Sequence, residues 1–299
     1  MADLPSLALI AGPTASGKSA LALALAERHG GTVINADASQ VYRDLRVLTA
    51  RPSPEDEARV PHRLFGHVDG ALASNAASWA GDAVAAIEGN WASGRLPILV
   101  GGTGLYLRTL LDGIAPVPPI DPAIRDAVRT LPVADAHAAL TGEDPPAAAR
   151  LAPTDTSRVA RALEVVRSTG RPLAAWQAER QGGIADRVRL SPLILLPDRA
   201  ELVRRIDARA AAMLAGGALE EVAALLARAD VPSDAPVRRA IGVPEVAGLL
   251  AGTLSSDAAL EQLRLATRRY AKRQYTWFRH QPPATWPRTT TGHADDLVI

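Results

Sequence analysis

The residues Gly12–Ser19, Gly-Pro-Thr-Ala-Ser-Gly-Lys-Ser, constrain this chain more than any other part of its sequence. They follow the apolar run Leu7–Ala11 and precede Ser19–His29, a segment rich in strong helix formers. In a glycine-rich loop between a strand and a helix, backbone N–H groups and the helix N-terminus turn toward a polyphosphate. The spacing therefore predicts a phosphate-binding loop (P-loop) of the kind found in nucleotide- and ATP-binding proteins. A glycine-rich turn with an incidental lysine is the alternative.

Every residue of this loop is a candidate for binding a diphosphate or a nucleotide. The lysine would reach phosphate oxygens, and the last hydroxyl would hold Mg²⁺. The candidates are Gly12, Pro13, Thr14, Ala15, Ser16, Gly17, Lys18 and Ser19, with Ser19 as the predicted magnesium ligand.

Strands and helices alternate behind the loop. Thr32–Ala36 and Leu96–Val100 are short apolar runs that predict buried strands, and Ala76–Ser93 between them predicts a helix. This alternation is typical of an α/β protein with a parallel sheet and helices on its faces. The chain is long enough, at 299 residues, for about two domains.

Four prolines between residues 116 and 122 mark a domain boundary, and the chain beyond them is alanine-rich and helical to about Asp186. Leu190–Leu196 again predicts a strand, with Pro192 at an edge or in its first residues. We therefore predict a core built from residues 1–118 and 189–299, interrupted by a helical insertion domain at 119–188. Three long helices are expected in the second part of the core, at 199–215, 218–229 and 256–278, and the tail after Pro282 is expected to be loosely held.

Composition excludes several classes of function. The chain has no cysteine, so disulfides, thiolate zinc sites, iron–sulfur clusters and a cysteine nucleophile are all excluded. Lysine and arginine number 33 against 32 aspartates and glutamates, so a polyanionic partner would have to meet a local basic patch. With no apolar run long enough for a membrane span and no export signal, the sequence predicts a cytoplasmic protein without membrane association.

Polar residues follow the two further predicted strands. Asp37 ends the strand Thr32–Ala36, and Gly101–Gly104, with Thr103 among them, ends the strand Leu96–Val100. Because α/β proteins bind ligands at the carboxyl edge of the sheet, both belong to the candidate site. From the residues alone, Asp37 could bind magnesium, cap a helix or act as a base, and Thr103 could donate a hydrogen bond to a phosphate or to the atom bridging it to carbon. A plain strand-to-helix turn is the alternative for Gly101–Gly104.

The predicted C-terminal helix carries a basic stripe. Arg264, Arg268 and Lys272 fall on one helical face, interleaved with aromatic residues, which suits contact with the backbone and bases of single-stranded RNA. A solvated face whose aromatics pack on the core is the alternative. His62 and His67 lack the companions that a metal site needs and are expected to be core or hydrogen-bonded histidines.

Ten stretches, in order over nearly the whole chain, resemble one family, the bacterial tRNA dimethylallyltransferases, also called tRNA isopentenyltransferases. The stretches are GPTASGKS (Gly12–Ser19), NADASQVYRDL (Asn35–Leu45), TARP (Thr49–Pro52), PHRL (Pro61–Leu64), LPILVGGTGLYLRTLLDG (Leu96–Gly113), DP..R (Asp121–Arg125), R.ARALEV (Arg158–Val165), RRID.R (Arg204–Arg209), RRAIG (Arg238–Gly242) and ATRRYAKRQYTWFR (Ala266–Arg279).

The resemblance implies a P-loop core similar to that of nucleotide kinases, with a helical insertion. It also implies a tRNA-modifying prenyltransferase reaction. A dimethylallyl group moves from dimethylallyl diphosphate to the exocyclic amine of the adenine 3′ of the anticodon, diphosphate leaves, and Mg²⁺ assists. The implied partners are dimethylallyl diphosphate and the tRNA anticodon arm, and we expect a monomer.

The resemblance also assigns roles to residues. Asp37 matches the general base, Thr103 the threonine on the bridging oxygen of the diphosphate, and Arg209 an arginine of the diphosphate site. The positions that match tRNA contacts are Asp37, Ala38, Ser39, Gln40, Arg125, Ser157, Arg158, Val159, Ala160 and Arg161. Three departures from the family pattern stand near these motifs: Ala38 replaces a serine, Val47-Leu48-Thr49 replaces Ile-Gly-Thr, and Gly242-Val243-Pro244 replaces a Gly-Tyr pair.

Two other functions remain open from the sequence. A small-molecule or nucleotide kinase would share the P-loop, but it would need arginines that close over a transferred phosphoryl group and a nucleoside pocket. A non-catalytic RNA-binding protein that senses a nucleotide would keep its RNA affinity and would not need Asp37.

Overall fold

The computed structural model describes residues 4–293 and 297 of the chain. Six parallel strands form one sheet in the order β3-β2-β4-β1-β5-β6. The strands are β1 (Ser6–Ala11), β2 (Thr32–Asn35), β3 (His62–Arg63), β4 (Pro97–Gly101), β5 (Arg189–Leu195) and β6 (Arg288–Thr289). The predicted α/β class with a parallel sheet is confirmed.

Thirteen α-helices accompany the sheet in the described residues. They are α1 (Lys18–His29), α2 (Pro54–Arg59), α3 (Ala76–Ala92), α4 (Gly104–Asp112), α5 (Pro122–Thr130), α6 (Val133–Glu143), α7 (Pro145–Arg150), α8 (Thr156–Thr169), α9 (Leu173–Gln177), α10 (Arg199–Ala215), α11 (Ala218–Ala227), α12 (Val243–Leu250) and α13 (Ser256–His280). Short 3-10 helices occupy Ala185–Arg187 and Pro236–Arg239.

The chain divides into two compact units. One unit comprises the described residues up to Leu110 and from Ala185 onward, and it contains the whole sheet. The other is Leu111–Ile184, a helical unit built around buried side chains of α5, α6 and α8 such as Val128, Leu140 and Leu163. The predicted boundaries after residues 118 and 188 fall a few residues C-terminal to these divisions.

The centre of the sheet explains where a site can form. Leu7–Ala11 of β1 are all fully buried, as expected for a strand covered on both faces, and β1 pairs with β4 and β5. Because all strands run in the same direction, the residues after Ala11, Asn35 and Gly101 emerge at one edge. That edge collects the loop before α1, the segment after β2 and the turn before α4.

Two local predictions need correction. Pro192 stands in the middle of β5, which is an inner strand, but β6 pairs with β5 only at Ile194 and Leu195 in the described residues. Pro192 has no N–H to donate, and no hydrogen bond between β5 and β6 is lost because β6 does not extend to this position. Of the tail after Pro282, residues 283–293 are not loosely held, because β6 extends the sheet, and Leu297 is buried in the core cluster around α1. Residues 294–296 and 298–299 lie outside the described residues.

Among residues 4–293 and 297, no helix is by itself long and apolar enough to cross a membrane. Arg199–Ala215 together with Ala218–Ala227 passes by length and composition, but the two helices are bent by 63°.

Candidate functional site

The loop between β1 and α1 has the backbone of an anion cradle. Gly12 and Gly17 adopt φ values of +155° and +94°, where side chains are strained. A Cβ on Gly12 would also lie 2.5 Å from the carbonyl oxygen of Leu195. Gly17 caps α1, so the N-terminal N–H groups of that helix point to the loop. The loop therefore offers the helix N-terminus to a negatively charged ligand.

Lys18 is a buried cation at this cradle. Its side chain is 9% exposed, and its Nζ donates a hydrogen bond to the carbonyl oxygen of Pro13 at 3.2 Å. The pKa of Lys18 is lowered to about 8, mainly by burial; Asp37 opposes this effect and the Arg209 cation adds to it. A buried ammonium group of this kind is stabilised when an anion binds beside it.

Arg209 and Ser16 complete the cradle. Arg209 comes from α10, and its Nη2 donates to the hydroxyl oxygen of Thr14 at 2.5 Å. Burial lowers the pKa of Arg209, and Asp37 opposes that effect. The Ser16 hydroxyl is buried and has no hydrogen-bond partner within the described residues. Two cations and an unpartnered hydroxyl thus surround one loop.

Asp37 is held at the end of β2 by hydrogen bonds. The N–H and the hydroxyl of Ser39 both donate to Asp37 Oδ1, at 3.0 and 2.7 Å, and Asn35 Oδ1 accepts from the Asp37 N–H at 2.8 Å. Residues 4–293 and 297 supply no hydrogen-bond donor to Oδ2. The carboxylate is 6% exposed and lines the same cavity as Lys18. It is oriented through one oxygen while the other is available to a ligand.

The turn after β4 braces the segment that follows Asp37. Thr103 Oγ1 accepts a hydrogen bond from the N–H of Ala38 at 2.9 Å, and the Thr103 N–H donates to the carbonyl oxygen of Ala36 at 3.2 Å. A Cβ on Gly101 would collide with the Ala36 backbone, which explains a glycine there. The Thr103 hydroxyl also acts on Tyr270, whose pKa is raised by burial and lowered in part by this hydroxyl. The predicted contact of Thr103 with a bridging oxygen stays a prediction.

One cavity of about 760 Å³ joins these groups, and all of its lining residues lie in the unit that contains the sheet. Of the predicted residues, it is lined by Thr14, Ala15, Ser16, Gly17, Lys18, Ser19, Asp37, Ala38, Ser39, Gln40 and Arg209. Gly12, Pro13 and Thr103 do not line it. They shape the turns that present the lining residues.

Sequence reasoning missed part of the cavity wall. Three arginines, three tyrosines and an apolar patch also line it, and all of them except Tyr42 lie far along the chain from the P-loop and Asp37. They are Arg205, Arg239, Arg273, Tyr42, Tyr106, Tyr270, Ile206, Ala210, Met213, Ile241 and Leu263. Several stand in the quoted motifs RRID.R, RRAIG and ATRRYAKRQYTWFR, which were the available signal. Leu48, one of the three departures from the family pattern, also lines the cavity.

The predicted basic stripe of α13 is partly used within the protein. Arg268 forms two hydrogen bonds to Asp207 of α10, at 2.8 and 2.6 Å, and Arg264 lies 3.6 Å from Glu261. Lys272 is exposed. Arg268 therefore joins two helices, and of these three cations Lys272 is the one best placed for an RNA phosphate.

The predicted tRNA-contacting residues Arg125 and Ser157–Arg161 all belong to the helical unit, on α5 and α8. Glu164, 2% exposed, accepts a hydrogen bond from Arg129 at 2.9 Å and lies 3.9 Å from Arg161. Val159 is fully buried in the core of this unit, so its side chain cannot contact RNA. Its α8 neighbours Ser157 and Arg158 are exposed, and the predicted contact of this segment with tRNA stays a prediction.

The described residues contain no group of three or more His, Cys, Asp or Glu side chains that could hold a metal ion. His62 Nδ1 lies 2.9 Å from the Val60 carbonyl oxygen and His67 lies 3.4 Å from Asp82, as expected for hydrogen-bonded histidines.

The fold and the site together define an α/β P-loop protein in which an anion cradle and a carboxylate share one cavity. The model of the family described as IPP transferase matches residues 40–281, and that of the family described as isopentenyl transferase matches residues 5–73. The chain belongs to the IPP transferase family, which confirms the resemblance.

Relatives and solved structures agree with this assignment. A tRNA dimethylallyltransferase of Sphingopyxis alaskensis is 66% identical, over 98% of this chain and 95% of the relative, and one of Erythrobacter litoralis is 59% identical, over 97% and 92%. The crystal structure of the tRNA isopentenylpyrophosphate transferase of Bacillus halodurans is 33% identical, covers 95% of this chain and 89% of its own, and has a TM-score of 0.68. A eukaryotic dimethylallyltransferase acting on tRNA is 29% identical, with coverages of 92% and 70% and a TM-score of 0.79.

Proposed function

We propose that this chain transfers a dimethylallyl group from dimethylallyl diphosphate to the exocyclic amine of the adenine 3′ of the anticodon in tRNA. One observation carries the proposal: the cationic cradle and the Asp37 carboxylate line the same cavity. The names of the relatives, which are tRNA dimethylallyltransferases, support it.

The cradle would stabilise the leaving diphosphate. The bond between the allylic carbon and the bridging oxygen breaks, and its electron pair leaves with the diphosphate. Lys18, Arg209 and the N-terminal amides of α1 are donors placed where that negative charge develops. Since both cations are already desolvated, their interaction with the charge is stronger than it would be in water.

Asp37 would serve as the general base. The adenine amine is a weak nucleophile because its lone pair is delocalised into the ring. As the new nitrogen–carbon bond forms, the amine loses one proton, and Asp37 Oδ2 is available to accept it while Ser39 holds Oδ1. A positioned base of this kind contributes ~10²–10⁴-fold in rate.

The chemistry of the donor set fits Mg²⁺. The exposed Ser19 hydroxyl is a hard oxygen ligand that lines the cavity at the cradle, and Mg²⁺ takes few protein ligands when phosphate oxygens are present. When bound, Mg²⁺ would neutralise charge on the leaving diphosphate.

The apolar patch of the cavity suits the dimethylallyl tail. Ile206, Ala210 and Met213 come from α10, the helix that also carries Arg209, and Leu263 comes from α13. A donor whose diphosphate lies in the cradle would thus have an apolar surface beside its carbon tail.

The tRNA anticodon arm would reach Asp37 through an extruded base, as enzymes that act on bases require. Ala38, Ser39 and Gln40 line the cavity beside Asp37 and would face that base. Exposed cations of α13 and of the helical unit, Lys272 and Arg158 among them, would contact the RNA backbone. We further propose a cytoplasmic monomer.

Mass spectrometry of tRNA nucleosides tests the proposal. After incubation of the protein with unmodified tRNA, dimethylallyl diphosphate and Mg²⁺, one adenosine should carry a dimethylallyl group, and free diphosphate should appear in equal amount. Transfer of phosphate from ATP to a small molecule, with no modified adenosine, would instead indicate a kinase. RNA binding with neither product would indicate a non-catalytic RNA-binding protein.

A further inference from the structure

The side-chain amide of Gln274 connects the two turns that build the site. Gln274 lies on α13 and is 5% exposed. Its Oε1 accepts a hydrogen bond from the N–H of Thr14 in the P-loop at 2.8 Å. Its Nε2 donates to the carbonyl oxygen of Gly102, in the turn after β4, at 2.8 Å. These partners lie 260 and 172 residues from Gln274 in the chain.

The chemistry of these two bonds requires a carboxamide. The Thr14 N–H can only donate and the Gly102 carbonyl can only accept, so the orientation of the amide is fixed. A carboxylate would lack the donor, and an apolar side chain would lack both groups. The amide also requires a glycine at position 102, because a Cβ there would collide with the Gln274 side chain.

Each bond reaches a functional group through one further contact. On one side, Thr14 also accepts the hydrogen bond of Arg209 through its hydroxyl. On the other side, Gly102 precedes Thr103, whose hydroxyl binds the N–H of Ala38 next to Asp37. Gln274 therefore lies between the residue that holds the cradle arginine and the turn that braces the predicted base.

We propose that Gln274 is a positioning residue that holds the P-loop and the Gly102–Thr103 turn in the register in which Arg209 and Asp37 act on one substrate. Gln274 does not line the cavity and would touch neither substrate. The inference rests on the proposed function only where its test measures prenyl transfer.

The test compares Gln274→Met and Gln274→Glu with wild type, and Gln262→Met is the matched control on the exposed side of α13. Gln274→Met removes both hydrogen bonds, and Gln274→Glu keeps the size and the acceptor but lacks the donor. Affinity for inorganic diphosphate is measured by calorimetry, single-turnover prenyl transfer by mass spectrometry, and folding by thermal unfolding. We expect Gln274→Glu, which loses one hydrogen bond, to lose roughly fivefold in affinity and in rate, and Gln274→Met, which loses both, to lose roughly thirtyfold.

A coupling measurement separates positioning from a purely structural role. If Gln274 acts through Thr14 and Arg209, then Gln274→Met should weaken diphosphate binding much less in an Arg209→Gln background than in wild type. Variants that unfold at lower temperature but retain wild-type affinity and rate would overturn the proposal, and so would equal effects in the two backgrounds. If Gln274→Met fails to fold, Gln274→Glu decides by the same criteria. Diphosphate affinity tests Gln274 even if the wild type prenylates no tRNA, so the two proposals fail separately.

Discussion

Replacement of Lys18 by methionine measures how much the buried Lys18 cation destabilises the ligand-free protein. The pKa of Lys18 falls from the ordinary lysine value of 10.5 to about 8 in the folded state, mainly through burial. That difference corresponds to about 3 kcal/mol of unfolding free energy lost when the lysine is protonated. Methionine fills similar space without the charge, but it also loses the hydrogen bond to Pro13, which contributes ~1 kcal/mol. We therefore expect Lys18→Met to be more stable than wild type by about 2 kcal/mol at neutral pH.

The sign of the pH dependence follows from proton binding. Between about pH 8 and pH 10.5 the unfolded state binds the lysine proton and the folded state does not. The contribution of Lys18 to stability therefore rises with pH in that window, and the penalty is fully present below about pH 8. The stability advantage of Lys18→Met should shrink as pH rises through this window.

Urea unfolding of both proteins, at neutral pH and at about pH 9.5, measures these differences. Lys272→Met, which removes an exposed lysine, is the control and should change stability little at either pH. The same Lys18→Met variant should bind inorganic diphosphate far more weakly than wild type. A Lys18→Met protein that is no more stable than wild type at neutral pH would refute the assignment of Lys18 as a desolvated cation kept for an anion.

Three further outcomes are expected. Diphosphate affinity of the wild type should fall above about pH 8, where Lys18 loses its proton, and a flat profile in calorimetry would contradict this. The Glu221 carboxylate accepts hydrogen bonds from the three consecutive backbone N–H groups of residues 46–48, next to the cavity wall. Glu221→Gln should therefore lower stability by ~1–3 kcal/mol and raise the KM for tRNA. Exposed Glu220→Gln should do neither in the same unfolding and kinetic assays. Lys272→Ala should reduce the salt dependence of tRNA binding by roughly one unit of slope or less. Arg268→Ala should mainly lower stability, because Arg268 pairs with Asp207. Equal changes in slope for the two variants in a filter-binding series would contradict the ion-pair role of Arg268.

The parts of the site that depend on neighbours in the chain could be predicted from local sequence. The P-loop, β1 and the position of Asp37 after β2 follow from glycines, apolar runs and strand ends, and the structure places them as predicted. The departure from the family pattern at position 38 preserves a backbone contact. Thr103 binds the backbone N–H of Ala38, so alanine keeps this contact.

Contacts between distant segments could not be predicted in the same way. Gln274 and Arg273 stand in a basic, aromatic helix whose periodicity gives no sign that one side chain turns toward the P-loop. The pairing of Arg268 with Asp207 depends on the packing of α13 against α10. The short strand β6 lies among prolines and threonines and is fixed only by β5.

The most direct test of the proposed mechanism is the single-turnover rate of adenine prenylation by Asp37→Asn, measured together with its affinities for tRNA and for inorganic diphosphate. Asparagine keeps the shape of the side chain and an oxygen for Ser39, but it cannot accept the proton of the amine. The mechanism predicts a rate lower by ~10²-fold or more with both affinities close to wild type. A rate within a few-fold of wild type would contradict the assignment of Asp37 as the base.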